Sequence, residues 1–170
     1  VRPKERQHAM STVSKVKYCY LVLLLTTAIA GCAGKAVVDQ PANIALRLRA
    51  DAALNPDING RPSPIVVKVY VLTAAPAFNN ARFFELYEND VAILGDDLID
   101  VKEFEVSPGD TVDVDAAALT LPARHIGVLA AYRDMDHATW RGMVDVLPNE
   151  RSLIEIRLGA IGVAVDKVAR

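Results

Sequence analysis

Ile65-Val66-Val67-Lys68-Val69-Tyr70-Val71-Leu72 is the stretch on which the fold turns. Its β-branched and aromatic side chains suit a pleated chain, because a branched Cβ restricts χ1 and packs well on a sheet surface. Apart from Lys68 it is apolar on both faces. A strand covered on one side only would alternate, so this pattern predicts a central strand with material packed above and below it.

Immediately before it stands Asn55-Pro56-Asp57-Ile58-Asn59-Gly60-Arg61-Pro62-Ser63-Pro64. Three prolines, a glycine and two asparagines in ten residues forbid a helix and an interior strand alike. Before that segment, Ile44, Leu46 and Leu48 alternate with Ala45, Arg47 and Arg49. Period two with one wet face predicts a half-buried strand. Downstream the β pattern breaks over residues 78–88. Phe83, Leu86 and Tyr87 fall at i, i+3, i+4, which predicts one short helix, with Asn79 or Asn80 as its N-cap. The segment 91–94 is too short to assign, and Gly95-Asp96-Asp97 reads as a turn.

Residues 98–106 read as a strand. In Ser107-Pro108-Gly109-Asp110, Pro and Gly occupy the two central positions that a type II turn requires. Thr111-Val112-Asp113-Val114-Asp115 then closes a hairpin. His125-Ile126-Gly127-Val128-Leu129-Ala130-Ala131-Tyr132-Arg133 predicts a second central strand. Residues 139–146, 152–158 and 161–165 supply three more strand candidates. Some seven or eight short strands, regular turn signals and one helix predict an antiparallel β-sandwich, a mainly β fold. Strand order is not in the periodicity.

The N-terminal end reads differently. Arg2, Lys4, Arg6, Lys15 and Lys17 face a single acid, Glu5, and an apolar run follows over residues 18–30. Thirteen residues fall short of the roughly 20 that span a bilayer as a helix. A basic segment, a short apolar segment and small residues describe a secretory signal peptide over residues 1–31. The chain opens with Val1, and counted from Met10 that signal has 22 residues. Ile29-Ala30-Gly31-Cys32 has the order of a bacterial lipobox: aliphatic, small, small, Cys. The Cys32 thiol would carry a diacylglyceryl group, and small residues before it give a peptidase access to the bond. An N-acyl chain would follow on the freed amine of Cys32. Acyl chains contribute about 0.8 kcal/mol of membrane affinity per buried CH₂, so several anchor durably. The lipobox resembles those of Gram-negative lipoproteins, and in that resemblance Ala33 implies delivery to the outer membrane. Residues 32–42 would then be the lipidated Cys and its tether, and residues 43–170 the β-sandwich domain.

The whole chain has 170 residues, 19 basic against 21 acidic, and a mean hydropathy of +0.20. That composition excludes a disordered tail, a polytopic membrane protein and a strongly basic nucleic-acid binder. Without residues 1–31 the chain would keep 139 residues and a net charge of −6. Cys19 would leave with the signal and Cys32 would be acylated, so the fold would rest on its core rather than on disulfides.

Catalytic constellations are not evident. Ser63 lies between two prolines, Ser107 and Ser152 lie in turns, and none has a nucleophile-elbow context. The histidines after the signal are His125 and His137. Asp134-Met135-Asp136-His137 is the nearest to a metal cluster. In an extended chain Asp134 and Asp136 point one way and His137 the other, so the segment reads as a polar turn. The pre-ordered segment 55–64 is the better functional candidate. Prolines reduce the entropy lost on docking, Asp57 and Arg61 offer polar contacts, and Ile58 offers an apolar tip.

These residues also carry a family pattern. A lipobox and tether, then Asn55-Pro56-Asp57-x-x-Gly60-Arg61-Pro62-Ser63-Pro64-Ile65-Val66-Val67-Lys68-Val69-Tyr70, resemble the TssJ lipoproteins of type VI secretion systems, the SciN/VasD-like group. Phe83-Phe84-x-Leu86-Tyr87, Leu94-Gly95-Asp96-Asp97-Leu98, Glu103-Phe104, Pro108-Gly109, Ile126-Gly127-Val128-x-Ala130-Ala131-Tyr132-Arg133-Asp134 and Trp140-Arg141 follow in family order. The resemblance implies a transthyretin-like sandwich with a helical addition. It implies a non-enzymatic outer-membrane lipoprotein facing the periplasm, with no cofactor beyond the lipid on Cys32. It further implies a structural adaptor of the secretion membrane complex that binds the periplasmic C-terminal region of TssM, and neither nucleic acid nor a small-molecule substrate. In that family the loop after the first strand is the contact, which maps here onto residues 55–64. The alternative is a periplasmic small-ligand carrier of the same fold, which would need an apolar cavity between the sheets.

Overall fold

The computed structural model describes residues 43–114, 122–148 and 150–168. Within these residues, eight strands form two four-stranded sheets. They are β1 (Asn43–Ala50), β2 (Ile65–Leu72), β3 (Leu98–Val106), β4 (Thr111–Val114), β5 (His125–Ala130), β6 (Arg141–Asp145), β7 (Arg151–Leu158) and β8 (Val163–Val168). One sheet has the order β4-β1-β7-β8 and the other β3-β2-β5-β6. β2 and β5 are central, as their apolar runs predict. The strand count and the mainly β class match the sequence reading. One pairing departs from the antiparallel expectation: β1 and β7 run parallel in register, from Asn43 opposite Arg151 to Ala50 opposite Leu158. Strands at opposite ends of the chain are not constrained by a hairpin, so local pattern does not fix their direction.

The alternating positions of β1, Ile44, Leu46 and Leu48, face Val67, Val69 and Val71 of β2 and Ile126 and Val128 of β5 across the sandwich. Ile154, Ile156 and Leu158 of β7 complete that core. The space between the sheets is therefore filled with side chains. The other face of β2 and β5 is also covered. Tyr70, Leu72 and Leu129 meet Phe78, Leu86 and Leu94 in a second apolar cluster. This is why β2 shows no wet face.

The covering layer contains two helices where the sequence suggested one: α1 (Pro76–Asn80) and α2 (Phe83–Leu94), followed by a 3₁₀ turn at Gly95–Asp97. Neither Asn79 nor Asn80 is an N-cap. α2 begins after Arg82, whose backbone N–H donates to Glu85 Oε2 at 2.8 Å. Residues 91–94, unassigned by their pattern, are its last turn. The helix is kinked at Asn89, and beside the kink Lys68 is held from below. Lys68 Nζ donates to Tyr87 O at 2.7 Å and to Asp90 Oδ2 at 3.0 Å. The one charge in β2 thus ties the sheet to the helix that covers it. Arg141 does the same for α1, donating to the Phe78 and Ala81 carbonyls at 3.2 and 2.9 Å. These are carbonyls at a helix C-terminus, where a cation is favoured.

Two positions need glycine, one for a close approach and one for its φ. A Cβ on Gly127 would stand 2.9–3.1 Å from the Phe78 ring, so the α1 aromatic lies directly on the β5 backbone. Gly109 has φ +81, and Asp110 N donates to Ser107 O at 3.1 Å, as the type II reading of that turn requires.

Candidate functional site

The β1–β2 connection is stitched to itself and to two other loops. Leu54 is fully buried and its carbonyl accepts from Ser63 N at 3.0 Å, closing the base of the loop. Asn55 is 3% exposed and has φ +45, a left-handed conformation that Asn tolerates better than most residues. Its Nδ2 donates to Pro64 O at 2.9 Å, and its Oδ1 accepts from Arg133 N at 2.8 Å. Its backbone N–H donates to Ala160 O at 3.1 Å. One side chain and its amide therefore bond the start of the loop to its end, to the β5–β6 loop and to the β7–β8 turn.

Beyond Asn55 the chain makes a small closed turn. Asp57 N donates to Arg61 O, and Gly60 N to Asp57 O, both at 2.8 Å. Gly60 has φ +76. The Asp57 carboxylate accepts from Asn59 N at 2.9 Å, from Arg61 N at 3.0 Å and from the Arg61 guanidinium at 2.6–2.8 Å. The Arg61 backbone N–H, then its guanidinium, hold the Asp57 carboxyl below the ordinary carboxylate range. Ile58 caps this turn and is fully exposed, at 101% of its reference area. Nothing in the fold requires a bare isoleucine there, and it stands on an ordered support.

The turn forms one wall of a cleft of about 550 Å³. Asn55, Pro56, Asp57 and Ile58 line it from the β1–β2 loop, Tyr132, Arg133 and Asp134 from the β5–β6 loop, and Ala160 and Ile161 from the β7–β8 turn. Tyr132 is buried at its floor, its hydroxyl donating to Gly159 O at 3.3 Å. Burial pushes the phenol well above its usual range, so it stays neutral. Thr139 N donates to Ile161 O at 3.0 Å and Val163 N to Thr139 O at 2.9 Å, so the two far walls are bonded together.

Of the residues singled out from the sequence, Asp57, Ile58, Asn59, Gly60, Arg61 and Pro62 form the protruding part. Pro56 and Ser63 are half-buried at its base, Pro64 is exposed where β2 begins, and Asn55 is a buried strut that also lines the cleft. Cys32 lies outside the described residues. The β5–β6 and β7–β8 contributions were missed; the one available signal was Tyr132-Arg133-Asp134 directly after a central strand. The segment 134–137 is the polar turn that the sequence reads, and the turn brings together Asp134 and His137, which an extended chain would point apart. His137 Nδ1 stands 2.8 Å from Asp134 Oδ1. Asp134 raises the imidazole pKa by that hydrogen bond. His125 Nδ1 meets Asp145 Oδ1 at 2.7 Å across the β5–β6 pair. Among the described residues no hydrogen bond joins a serine hydroxyl to either histidine, and no group of three His, Cys, Asp or Glu side chains could hold a metal.

Residues 42–161 match the family model described as "Type VI secretion lipoprotein, VasD, EvfM, TssJ". The type VI lipoprotein TssJ1 of Pseudomonas aeruginosa is 34% identical with a TM-score of 0.72, covering 76% of this chain and 98% of its own. Lip of Serratia marcescens, a membrane-bound component of the type VI secretion system, is 28% identical with a TM-score of 0.63, covering 73% and 96%. A chain in the structure described as the TssM C-terminal domain (869–1107) from EAEC is 30% identical with a TM-score of 0.58, covering 74% and 99%. No curated protein sequence matches the chain. With a family model spanning β1 to β7, the helical layer and all three walls of the cleft, this chain belongs to the type VI secretion lipoprotein family of VasD, EvfM and TssJ.

Proposed function

We propose that this protein is an outer-membrane lipoprotein, acylated at Cys32 and facing the periplasm, that binds the periplasmic C-terminal region of TssM through residues 55–64 and so helps assemble the secretion membrane complex. The observation that carries the reading is the closed turn at 57–61. Its polar groups are spent on one another, and its apolar tip, Ile58, is left bare. An ordered apolar projection suits a protein partner, because little chain entropy is lost on docking.

The family supports the lipoprotein part and its place in a type VI system. The TssM part draws on the third structure above. From the coverages, the matched chain there is roughly half as long as the named segment 869–1107, so the likeness is to a chain that accompanies TssM rather than to TssM itself. The lipobox at Cys32 and Ala33 carries the membrane assignment.

Ile58→Asp tests the reading. It removes the apolar tip without touching a hydrogen bond, so the protein should melt at the wild-type temperature. It should no longer co-purify with the TssM C-terminal fragment of the same system. Retained co-purification would move the contact elsewhere on the molecule.

A further inference from the structure

The cleft behind the loop has a composition that a loop contact alone does not explain. Its floor and upper walls are apolar: Pro56, Ile58, Tyr132, Ala160 and Ile161. Ile161 is 49% exposed although it sits in a turn, where a polar residue would cost nothing. The charges on the rim are unequal in their pairing. Asp57 is bound by Arg61, and Asp134 by His137. Arg133 is exposed and, among the described residues, has no hydrogen bond or ion pair from its side chain. Its charge reaches the Asp57 carboxylate only through space, so it is the rim cation that no carboxylate holds in an ion pair.

We infer that the binding surface is the whole cleft, not the loop tip alone, and that its occupant is a segment of the protein partner that seats an apolar side chain between Ile58 and Ile161 and sets a carboxylate against Arg133. The inference rests on the proposed role of the 55–64 loop and extends it to two segments distant in the chain, Arg133 lying 78 residues after Asn55. Asn55 provides the physical link, since it bonds the loop to the Arg133 amide and the Ala160 carbonyl. The three walls hold one shape, so the partner meets a preformed site. A protein segment is favoured over a small ligand because Ile58, part of the cleft's lining, is fully exposed. A small ligand would leave that tip uncovered. Apolar groups at the centre and one charge at the rim is the usual division of labour in a protein interface.

The test uses the full chain in detergent and the TssM C-terminal fragment of the same system, with affinities measured by calorimetry. Ile161→Asp and Arg133→Glu should each weaken binding at least tenfold, comparable to Ile58→Asp, with melting temperatures unchanged because both side chains are exposed. Ile161→Ser repeats the first measurement with a smaller perturbation, should the aspartate disturb the turn. Arg133→Lys should recover part of the affinity, and added salt should weaken the wild type more than Arg133→Glu. Wild-type affinity in either Arg133→Glu or the Ile161 variants overturns the inference and leaves the cleft to another occupant. If Ile58→Asp alone weakens binding, the loop reading survives without the extended site. If none of the three does, both fail.

Discussion

Asn55 and Asp57 stand two positions apart and do different work. Asn55 acts inward, and its side chain satisfies two backbone groups through part-buried bonds. Asn55→Ala leaves the Arg133 N–H and the Pro64 carbonyl without partners, which should cost about 2–3 kcal/mol in urea unfolding. Asn55→Gly relieves the positive φ but loses the same two bonds, so it should not rescue stability fully. Asp57 acts outward, within its own turn. Its carboxyl is held below its ordinary range, so the order it confers is complete above the usual carboxylate pKa and is lost as pH falls through the lowered value. A carbon-detected NMR titration should place the Asp57 midpoint below the ordinary aspartate value. Arg61→Ala should return it only part of the way, because the Arg61 backbone N–H, the larger cause, survives that change.

At the level of elements, the strands were legible and the helical layer was only partly so. Period two in β1 and the two-sided apolar run in β2 arise from contacts that each strand makes all along its length, so they are written locally. The break between α1 and α2 is not. It depends on where Phe78 must land on the sheet and on Arg141, 60 residues away, reaching the Ala81 carbonyl. The parallel β1–β7 pairing is equally non-local. The loop at 55–64 could be read from its prolines, but the cleft could not, because its other walls come from turns with no distinguishing composition. Gly127 shows how a short motif encodes a long-range contact. Gly127→Ala should destabilise by about 1–3 kcal/mol, since the Phe78 ring is fully buried and has little room to move. In a double-mutant cycle, Phe78→Leu should absorb part of that penalty, giving a clear departure from additivity.

For the whole molecule, the second apolar cluster bears on which of the two sequence-level functions to prefer. A small-ligand carrier would need space between the sheets or on a sheet face. The first is filled by aliphatic side chains, and the face of β2 and β5 is occupied by Phe78, Leu86 and Leu94. The membrane assignment is tested at the other end of the chain. Cys32→Ser should accumulate as an unprocessed precursor that incorporates no palmitate in metabolic labelling. Normal processing and labelling would rule out the lipobox. The parallel placement of β1 has a mechanical consequence. β1 lies between β4 and β7, hydrogen-bonded on both sides. Cys32 precedes its first residue in the chain, and the 55–64 loop follows its last. Were the proposed lipid at one end and the proposed partner at the other, a pull between them would pass along the covalent backbone of this one strand. Its ladders to β4 and β7 would hold the strand in place without carrying that load. A strand of eight residues spans about 26 Å, and over that length the anchor and the contact would be joined without the rest of the sandwich having to stretch.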